Sequence, residues 1–316
     1  MNKILIVKIS SLGDIVHNLP AVSDVRRQFP HVSIDWVVEE AYAPLVRLHP
    51  AVHRAIPVAI RRWRRRLVTP VTWREIGQTW RALRSERYDA VVDTQGLLKS
   101  ALLTAVASGR RHGFDAASAR EPIAARFYDV VHPVARSEHA VVRNRTLMAA
   151  ALGYPLLDAP DYGIRDIAAK ARSAREVVFL HATSRADKHW PEEAWIALGQ
   201  WLGERGLGVV LPWGDAGERE RSERLALVLP NARVPGALPI GEVARLLAEA
   251  QAVVGVDTGL THLAAALGVP VAAIYCATDT HLTGVYGAKR AWNLGGRGKP
   301  PQPEEVIDIL RQGAAL

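Results

Sequence analysis

The sequence predicts an α/β protein of two doubly wound domains, each built on a parallel sheet with helices on both faces. Three observations lead to this prediction. Short apolar runs rich in β-branched residues alternate with longer amphipathic segments along the whole chain. The apolar runs are continuous rather than alternating, which is typical of parallel strands buried on both faces. A length of 316 residues with 49% hydrophobic residues suits two domains with separate cores.

Strands and helices alternate in the same order in both halves of the chain. The first half has predicted strands at 4–9, 34–38, 55–58 and 90–93 and predicted helices at 15–28, 41–48, 73–87, 97–107 and 140–152. The second half has predicted strands at 177–181, 208–212, 252–256 and 271–275 and predicted helices at 192–204, 217–229, 240–249 and 260–267. Ligands of such sheets bind beyond the carboxyl ends of the strands, so the loops there are candidate sites.

The stretch 155–160, with a proline at each end, is the best candidate for a linker between the domains. It divides the chain into a first domain at 1–160 and a second domain at 161–300. We expect the remainder, 301–316, to form a C-terminal helix that packs back toward the first domain.

Cysteine content and hydropathy exclude several classes of protein. Cys276 is the single cysteine, which excludes an internal disulfide framework, a cysteine-rich zinc site and an iron–sulfur cluster. The apolar run 4–9 is too short for the core of a signal peptide, and no run reaches eighteen apolar residues. We therefore expect a cytoplasmic protein that is soluble or peripheral to a membrane.

The positive charge is confined to the first half of the chain. Residues 1–150 hold 23 Lys and Arg against 13 Asp and Glu, a net charge of +10, whereas residues 151–316 hold 17 against 19, a net charge of −2. This asymmetry indicates an anionic partner for the first domain, such as a nucleic acid, an acidic membrane surface or a phosphorylated glycolipid. Arginines on solvated faces explain the total charge equally well.

The loop after the first predicted strand carries Gly13 and Asp14 at the start of a helix. Gly13 permits a tight approach, and Asp14 either caps the helix or performs chemistry; the residues alone leave this choice open. The loop is not a dinucleotide-binding fingerprint, because no G-x-G-x-x-G follows any strand. No Walker A motif is present either, so NAD-dependent hydride transfer and P-loop phosphoryl transfer are both disfavoured.

Three loops in the second half contain candidate ligand-binding residues. The first has the hydroxyls of Thr183 and Ser184 and the cation Lys188, which suit a phosphate group. The second leads to Glu218, whose carboxylate suits the hydroxyls of a ribose. The third begins with Asp257 at a helix N-terminus with free amides, a second anion site. Each loop also has a structural explanation, including Asp257 as a helix cap and His262 as a core residue. Three such loops after successive strands favour a ligand site.

Seven collinear sequence blocks together resemble glycosyltransferase family 9. They are V-K-I-S-S-L-G-D (7–14), W-V-V-E-E (36–40), I-R-R-W-R (60–64), D-T-Q-G-L (93–97), H-A-T-S (181–184) with K-H-W-P (188–191), L-P-W-G (211–214) and D-T-G-L-T-H-L (257–263). The resemblance runs from residue 1 to at least residue 287. It implies the GT-B fold, in which two Rossmann-like domains face a central cleft. The first, at 1–160, is then the acceptor-binding domain, and the second, at 161–300, is the donor-binding domain.

The resemblance also implies a reaction and its partners. It implies an inverting transfer of L-glycero-D-manno-heptose from ADP-heptose to the first Kdo of Kdo2-lipid A, in synthesis of the lipopolysaccharide inner core. The implied location is the cytoplasmic face of the inner membrane, with peripheral attachment, no nucleic-acid partner and no cofactor. The alternatives are another family 9 ADP-sugar transferase, such as one that adds the second heptose, and a non-catalytic basic α/β binding protein.

Roles for individual residues follow from the same resemblance. Asp14 is the implied general base. The implied donor-binding residues are Thr183, Ser184, Lys188, Trp213, Glu218, Asp257, Thr258, Gly259, Leu260 and His262. The implied acceptor-binding residues are Arg61, Arg62, Arg64, Arg65 and Arg66, taken to lie in a loop, together with Lys99 and Arg120. The sequence has no D-x-D triplet, so we expect no metal, with Lys188 and helix amides in its place.

Overall fold

The computed structural model describes residues 1–156, 159–164, 175–183, 185–314 and 316. The chain forms two compact units, Met1–Gly163 and Ile164–Leu316. The predicted linker at 155–160 is described only in part, because 157 and 158 lie outside the described residues. Among the helices described, none is both long enough and apolar enough to cross a bilayer.

The first unit is built on a six-stranded parallel sheet. Its strands are β1 (Lys3–Val7), β2 (Ser33–Glu39), β3 (Val52–Val58), β4 (Arg87–Asp93), β5 (Ser108–Phe114) and β6 (Val130–His132). The strand order is β3-β2-β1-β4-β5-β6, and every neighbouring pair is parallel. The chain starts at the centre of the sheet, builds outward on one side and then on the other, so the prediction of a doubly wound sheet is confirmed.

Among the described residues of the first unit, seven α-helices connect or follow these strands. They are α1 (Leu12–Val16), α2 (Leu19–Gln28), α3 (Ala43–Val46), α4 (Ile60–Trp63), α5 (Pro70–Arg84), α6 (Leu98–Val106) and α7 (Ala140–Leu152). The single helix predicted at 15–28 is divided into α1 and α2. The division falls before Pro20, which lacks a backbone N–H and is tolerated only in the first turn of a helix. Helix α7 has the predicted bounds and ends at Gly153, whose φ of 74° suits glycine.

The second unit repeats this topology. Its strands are β7 (Glu176–Leu180), β8 (Gly208–Val210), β9 (Ala232–Arg233), β10 (Ala252–Val256), β11 (Val271–Tyr275) and β12 (Ala291–Gly295). The strand order is β12-β11-β10-β7-β8-β9, again parallel throughout. Its helices are α8 (Glu192–Gly203), α9 (Ala216–Val228), α10 (Ile240–Glu249), α11 (Gly259–Ala266), α12 (Thr280–Thr283) and α13 (Pro303–Gly313).

Four strands, β5, β6, β9 and β12, were not predicted from the sequence. Strand β5 reads S-G-R-R-H-G-F, and β9 has two residues, so neither shows an apolar run. Strands β6, β9 and β12 lie at sheet edges, where one side of the backbone is unpaired and burial is incomplete. Their pairing is decided by the neighbouring strand rather than by their own composition.

The expected packing of the C-terminal helix toward the first domain stays a prediction. In the structure this helix is α13, which belongs to the second unit. It packs against α8, β11 and β12. Val306 and Leu310 are fully buried in the same core as Trp195 and Leu198 of α8. The apolar face of α13 is thus buried within the second unit.

Candidate active site

Asp14 lies in the first turn of α1, just beyond the carboxyl end of β1. Its Oδ2 accepts a hydrogen bond from the backbone N–H of Ser11 at 2.8 Å, so it does cap the helix. It also forms an ion pair with Arg120, whose Nη2 lies 2.5 Å from Oδ1 and whose Nη1 lies 3.3 Å from Oδ2. The side chain is only 13% exposed. The Asp14 carboxylate therefore forms an ion pair in addition to capping the helix.

The pKa of Asp14 reflects two opposing effects. Burial by itself raises the pKa, but the charges of Lys8 and Arg120 and the hydrogen bonds from Arg120 and Ser11 lower it from 3.8 to about 2. Asp14 is therefore fully ionised at neutral pH. In this state it is also a weak base, because its two cations stabilise the carboxylate more than the acid.

Lys8 is a buried cation beside Asp14 that the sequence analysis did not select. Its Nζ donates to the carbonyl of Thr94 at 2.7 Å and to Oδ1 of Asn144 at 3.3 Å. Burial lowers the pKa of Lys8 from 10.5 to about 8. The available signal was a single lysine within the apolar run 4–9. Its partner Asn144 lies in α7, far along the chain, and had no such signal.

A small cavity of about 20 Å³ opens beside Asp14 and is lined by three cations. Lys8, Arg120 and Arg143 supply the positive charges, and Asp14 supplies the only negative charge among the lining residues. Arg143 donates to the carbonyl of Ser118 and lies over the ring of Phe114, 4.9 Å from its centroid. An excess of cations around one carboxylate suits the entry of a second anion.

The D-T-Q-G-L block holds the loop that carries Asp14. The amide oxygen of Gln95 accepts a hydrogen bond from the N–H of Ile9 at 2.8 Å, and its amide group donates to the carbonyl of Ser10. Asp93 is fully buried, accepts from the N–H of Gln95 at 2.8 Å and accepts from the Tyr128 hydroxyl at 2.8 Å. Burial raises the pKa of Asp93. This block is a scaffold for the first loop rather than a second catalytic group.

Two of the predicted acceptor-binding residues, Lys99 and Arg120, are brought to this loop. Lys99 Nζ donates to the hydroxyl of Ser10 at 3.1 Å, while Arg120 contacts Asp14. Arg120 therefore contacts the predicted base itself, and Lys99 contacts the loop four residues before it.

The arginine run is not the open loop that was expected. Arg61 and Arg62 lie in α4, and Arg62 is held between two carboxylates, with ion pairs to Glu40 at 3.0 Å and to Glu75 at 2.9 Å. Arg61 lies over the ring of Tyr42, 5.7 Å from its centroid. The other arginines of the run follow α4 and are exposed, namely Arg64, Arg65 and Arg66. The expectation that all five arginines lie in a loop was wrong, because Arg61 and Arg62 belong to helix α4. Their role in acceptor binding stays a prediction.

In the second unit, Asp257 follows β10 and forms the centre of a polar cluster. Lys188 Nζ and the Thr278 hydroxyl each donate to its Oδ2 at 2.6 Å. His262 Nε2 lies 3.9 Å from Oδ1. Burial opposes ionisation of Asp257, but the nearby His262, the hydrogen bonds from Lys188 and Thr278 and the charge of Lys188 hold its pKa well below the usual range. The structure gives Asp257 these side-chain partners, whereas Thr258 occupies the N-cap position of α11.

The other residues of the D-T-G-L-T-H-L block (257–263) lie at the start of α11. Gly259 and Leu260 form its first turn, where backbone amides are free of partners within the helix. Thr261 is buried, and its hydroxyl donates to the carbonyl of Val256 at 2.7 Å. A Cβ atom on Gly255 would lie 2.2 Å from that hydroxyl oxygen, so only glycine fits there. His262 is buried, as the structural explanation expected, and it also contacts Asp257.

The loop after β7 lies against the Asp257 loop. The Thr183 hydroxyl is 3.4 Å from the carbonyl of Asp257, and the Lys188 ion pair joins the same two loops. Ser184, a predicted donor-binding residue, lies outside the described residues. Trp190 is buried and donates from Nε1 to the carbonyl of Pro301 at 2.9 Å, which anchors the loop to the core.

The loop after β8 carries Trp213 and Glu218. Glu218 accepts a hydrogen bond from the N–H of Gly214 at 2.7 Å, while its own N–H donates to the carboxylate of the N-cap Asp215 at 2.9 Å. Trp213 Nε1 donates to the carbonyl of Pro235 at 2.8 Å. Because β10, β7 and β8 are neighbours in the sheet, the three predicted ligand loops follow adjacent strands. Within the part of the chain that the structure describes, no group of three His, Cys, Asp or Glu side chains is placed to bind a metal.

Comparison with known proteins decides the family. The model of glycosyltransferase family 9 (heptosyltransferase) matches residues 76–307. The chain belongs to this family. It is 49% identical to the lipopolysaccharide heptosyltransferase 1 of Pseudomonas aeruginosa over 292 residues, 90% of this chain and 81% of that protein. Membership makes this protein a glycosyltransferase.

Solved structures of the family agree in fold along nearly the whole chain. The Escherichia coli heptosyltransferase WaaC with ADP has a TM-score of 0.93 and 42% identity, covering 98% of this chain and 99% of that chain. The same enzyme with ADP-2-deoxy-2-fluoro heptose has a TM-score of 0.89, with the same identity and coverage. The GT-B prediction, two parallel-sheet α/β domains, is thereby confirmed.

Proposed function

We propose that this enzyme transfers L-glycero-D-manno-heptose from ADP-heptose to the first Kdo of Kdo2-lipid A, with inversion at the transferred carbon. The observation that carries the proposal is the match over 98% of the chain to an enzyme whose structure holds ADP-2-deoxy-2-fluoro heptose. The 49% identity to a lipopolysaccharide heptosyltransferase 1 supports addition of the first heptose. Peripheral attachment to the cytoplasmic face of the inner membrane is part of this proposal, since the acceptor is a membrane glycolipid.

The second unit binds the donor in this proposal. Lys188, the Thr183 hydroxyl and the free amides of α11 supply one cation and several hydrogen-bond donors for a diphosphate. In the structure Lys188 is paired with Asp257, so donor binding requires it to share its hydrogen bonds with the diphosphate. Asp257 then accepts hydrogen bonds from hydroxyls of the heptose. Glu218 and Trp213 serve the adenosine from the adjacent loop.

Asp14 is the general base, and its activation depends on Arg120. While Arg120 holds the carboxylate, the pKa of about 2 makes Asp14 a poor proton acceptor. The acceptor carries a carboxylate on each Kdo, and a guanidinium binds such a group in a bidentate manner. A Kdo carboxylate that takes over Arg120 removes one cation from Asp14 and raises its pKa. The acceptor thereby activates the base that deprotonates it.

The chemical step is an in-line displacement. The acceptor hydroxyl transfers its proton to Asp14 as its oxygen forms the new bond to the anomeric carbon of the heptose. The bond from that carbon to the phosphate oxygen breaks, and ADP leaves with the electron pair. Lys188 and the amides of α11 stabilise the charge that develops on ADP. These groups perform the role that a divalent cation has in many other glycosyltransferases.

The test is mass spectrometry of Kdo2-lipid A after incubation with the protein and ADP-heptose. We expect a product heavier by one heptose residue, and no product from lipid A that lacks Kdo. Asp14→Asn serves as the matched inactive control, since it keeps the shape of the side chain. Transfer only to an acceptor that already carries one heptose would instead assign the enzyme to the second-heptose step. Failure to modify either acceptor would overturn the proposal.

A further inference from the structure

The surface formed by residues 61–84, which includes most of α4 and all of α5, exposes large apolar side chains. We call it the α4–α5 surface. Val68, at the turn between the two helices, is 95% exposed, and its neighbour Leu67 is 51% exposed. On α5, Trp73 and Trp80 are 61% and 50% exposed. Large apolar residues exposed together in one segment mark an interaction surface, whereas single ones need no explanation.

The helix geometry aligns the two tryptophans. Trp73 and Trp80 are seven residues apart, which is two turns of helix, and Gly77 between them leaves open space along the stripe. The neighbouring face of α5 packs on the core of the first unit through Leu83 and Ile76, which each follow a tryptophan by three residues and so lie about 60° around the helix from it. Thus one face of α5 is buried against the core, and the face that carries the two tryptophans is exposed to solvent.

The turn that carries Leu67 and Val68 is tied to this tryptophan face. Trp73 Nε1 donates to the carbonyl of Leu67 at 2.8 Å. The indole nitrogen of Trp73 therefore has its hydrogen bond, while the ring remains exposed. The turn that holds Leu67 and Val68 and the face of α5 that holds the two tryptophans therefore form one continuous apolar surface.

Arginines surround these apolar side chains. Residues 61–84 contain eight arginines and a single acid, Glu75, which is paired with Arg62. Arg74 and Arg81 lie one residue beyond each tryptophan on α5 and are exposed. The segment is therefore strongly cationic around an apolar centre, which is the complement of an anionic surface with an apolar layer beneath it.

We propose that the α4–α5 surface docks this enzyme onto an anionic lipid bilayer. Tryptophans favour the interface between headgroups and acyl chains, arginines bind the lipid phosphates, and Leu67 and Val68 enter the apolar layer. A nucleic acid would satisfy the arginines but would leave Leu67 and Val68 in water, so the bilayer is the better match. The proposal goes beyond the proposed function, which places the enzyme at a membrane without assigning the surface that binds it.

The experiment is co-sedimentation of the full chain with vesicles that contain no acceptor. We expect binding to vesicles of phosphatidylcholine with phosphatidylglycerol, weakening as salt is raised, and little binding to phosphatidylcholine alone. The triple variant Leu67→Ser/Val68→Ser/Trp80→Ser should bind at least tenfold more weakly. Leu227→Ser/Val228→Ser is the matched control, because those residues are equally exposed apolar side chains of the second unit. It should bind as the wild type does.

Two further variants separate the contributions of charge and burial. Arg74→Gln/Arg81→Gln should weaken binding to anionic vesicles by about fivefold per arginine and flatten its salt dependence. With brominated lipid in the vesicles, tryptophan emission should be quenched in the wild type. Trp73→Phe/Trp80→Phe should lose most of that quenching while it still sediments with the vesicles.

Several outcomes would overturn the proposal. They are wild-type vesicle binding that is absent, triple-variant binding equal to wild-type binding, and emission that brominated lipid does not quench. Self-association in sedimentation velocity that the triple variant abolishes would assign the surface to a second copy of the chain instead. Transfer to detergent-dispersed acceptor should be unchanged in the triple variant. Loss of vesicle binding is thus distinguished from failure of the proposed function or of folding.

Discussion

Replacing Arg120 by Gln should free Asp14 from the guanidinium that is hydrogen-bonded to both of its carboxylate oxygens. The wild-type pKa of about 2, against 3.8 for an unperturbed aspartate, corresponds to about 2 kcal/mol in favour of the carboxylate. Burial pulls the pKa the other way, and Lys8 and Ser11 remain in place in the variant. Loss of one charge and two hydrogen bonds should raise the pKa of Asp14 by at least one pH unit, or about 1.4 kcal/mol.

The assay is a ¹³C NMR titration of the aspartate carboxyl groups, with Asp14→Asn to assign the Asp14 signal. In the wild type, the Asp14 signal should keep its carboxylate position as pH falls to about 3, since its folded pKa is about 2. In Arg120→Gln the signal should titrate at higher pH. Addition of free Kdo to the wild type should move the signal in the same direction, because its carboxylate competes for Arg120.

The same pKa determines how the contribution of Asp14 to the stability of the protein changes with pH. A carboxylate whose folded pKa is depressed contributes stability above pH 3.8, and that contribution is lost as pH falls toward 2. Arg120→Gln should therefore be less stable than the wild type at neutral pH, with the difference shrinking in acid. Arg126→Gln, an exposed arginine of the same unit, is the control and should change neither quantity. An Asp14 signal that titrates identically in wild type and Arg120→Gln would refute the proposed activation of the base.

Three other predictions concern the donor site, metals and the core. Lys188→Met should weaken ADP binding by about tenfold to a hundredfold, as expected for loss of a charged hydrogen-bond donor, and calorimetry that shows unchanged affinity would remove Lys188 from the diphosphate site. Incubation with EDTA should leave the transfer rate unchanged, whereas inhibition that Mg²⁺ reverses would contradict the metal-free mechanism. Arg145→Met should destabilise the first unit by about 3–5 kcal/mol, because Asp24 would lose its bidentate partner where both side chains are under 10% exposed. Arg311→Met, which breaks an exposed pair, should cost under about 1 kcal/mol in the same denaturant titration.

Local patterns in the sequence were enough to predict the sheets and the loops that hold the site. The bounds of β10, β11, α7 and α10 match their predictions, because a buried strand or an amphipathic helix is specified by neighbouring residues. The edge strand β9 was missed because two residues give no periodic signal. Elements whose stability comes from pairing with a neighbour have little signature of their own.

The positions of the candidate catalytic and donor-binding carboxylates were likewise predicted by the sequence, since Asp14 follows β1 and Asp257 follows β10. Their partners were decided only by tertiary structure. Arg120 reaches Asp14 across 106 residues, and Lys188 reaches Asp257 across 69. No periodicity links positions so far apart, because sheet order and strand register bring their loops together. These partners set the pKa of each carboxylate, so the protonation state of the site depends on the fold rather than on any motif.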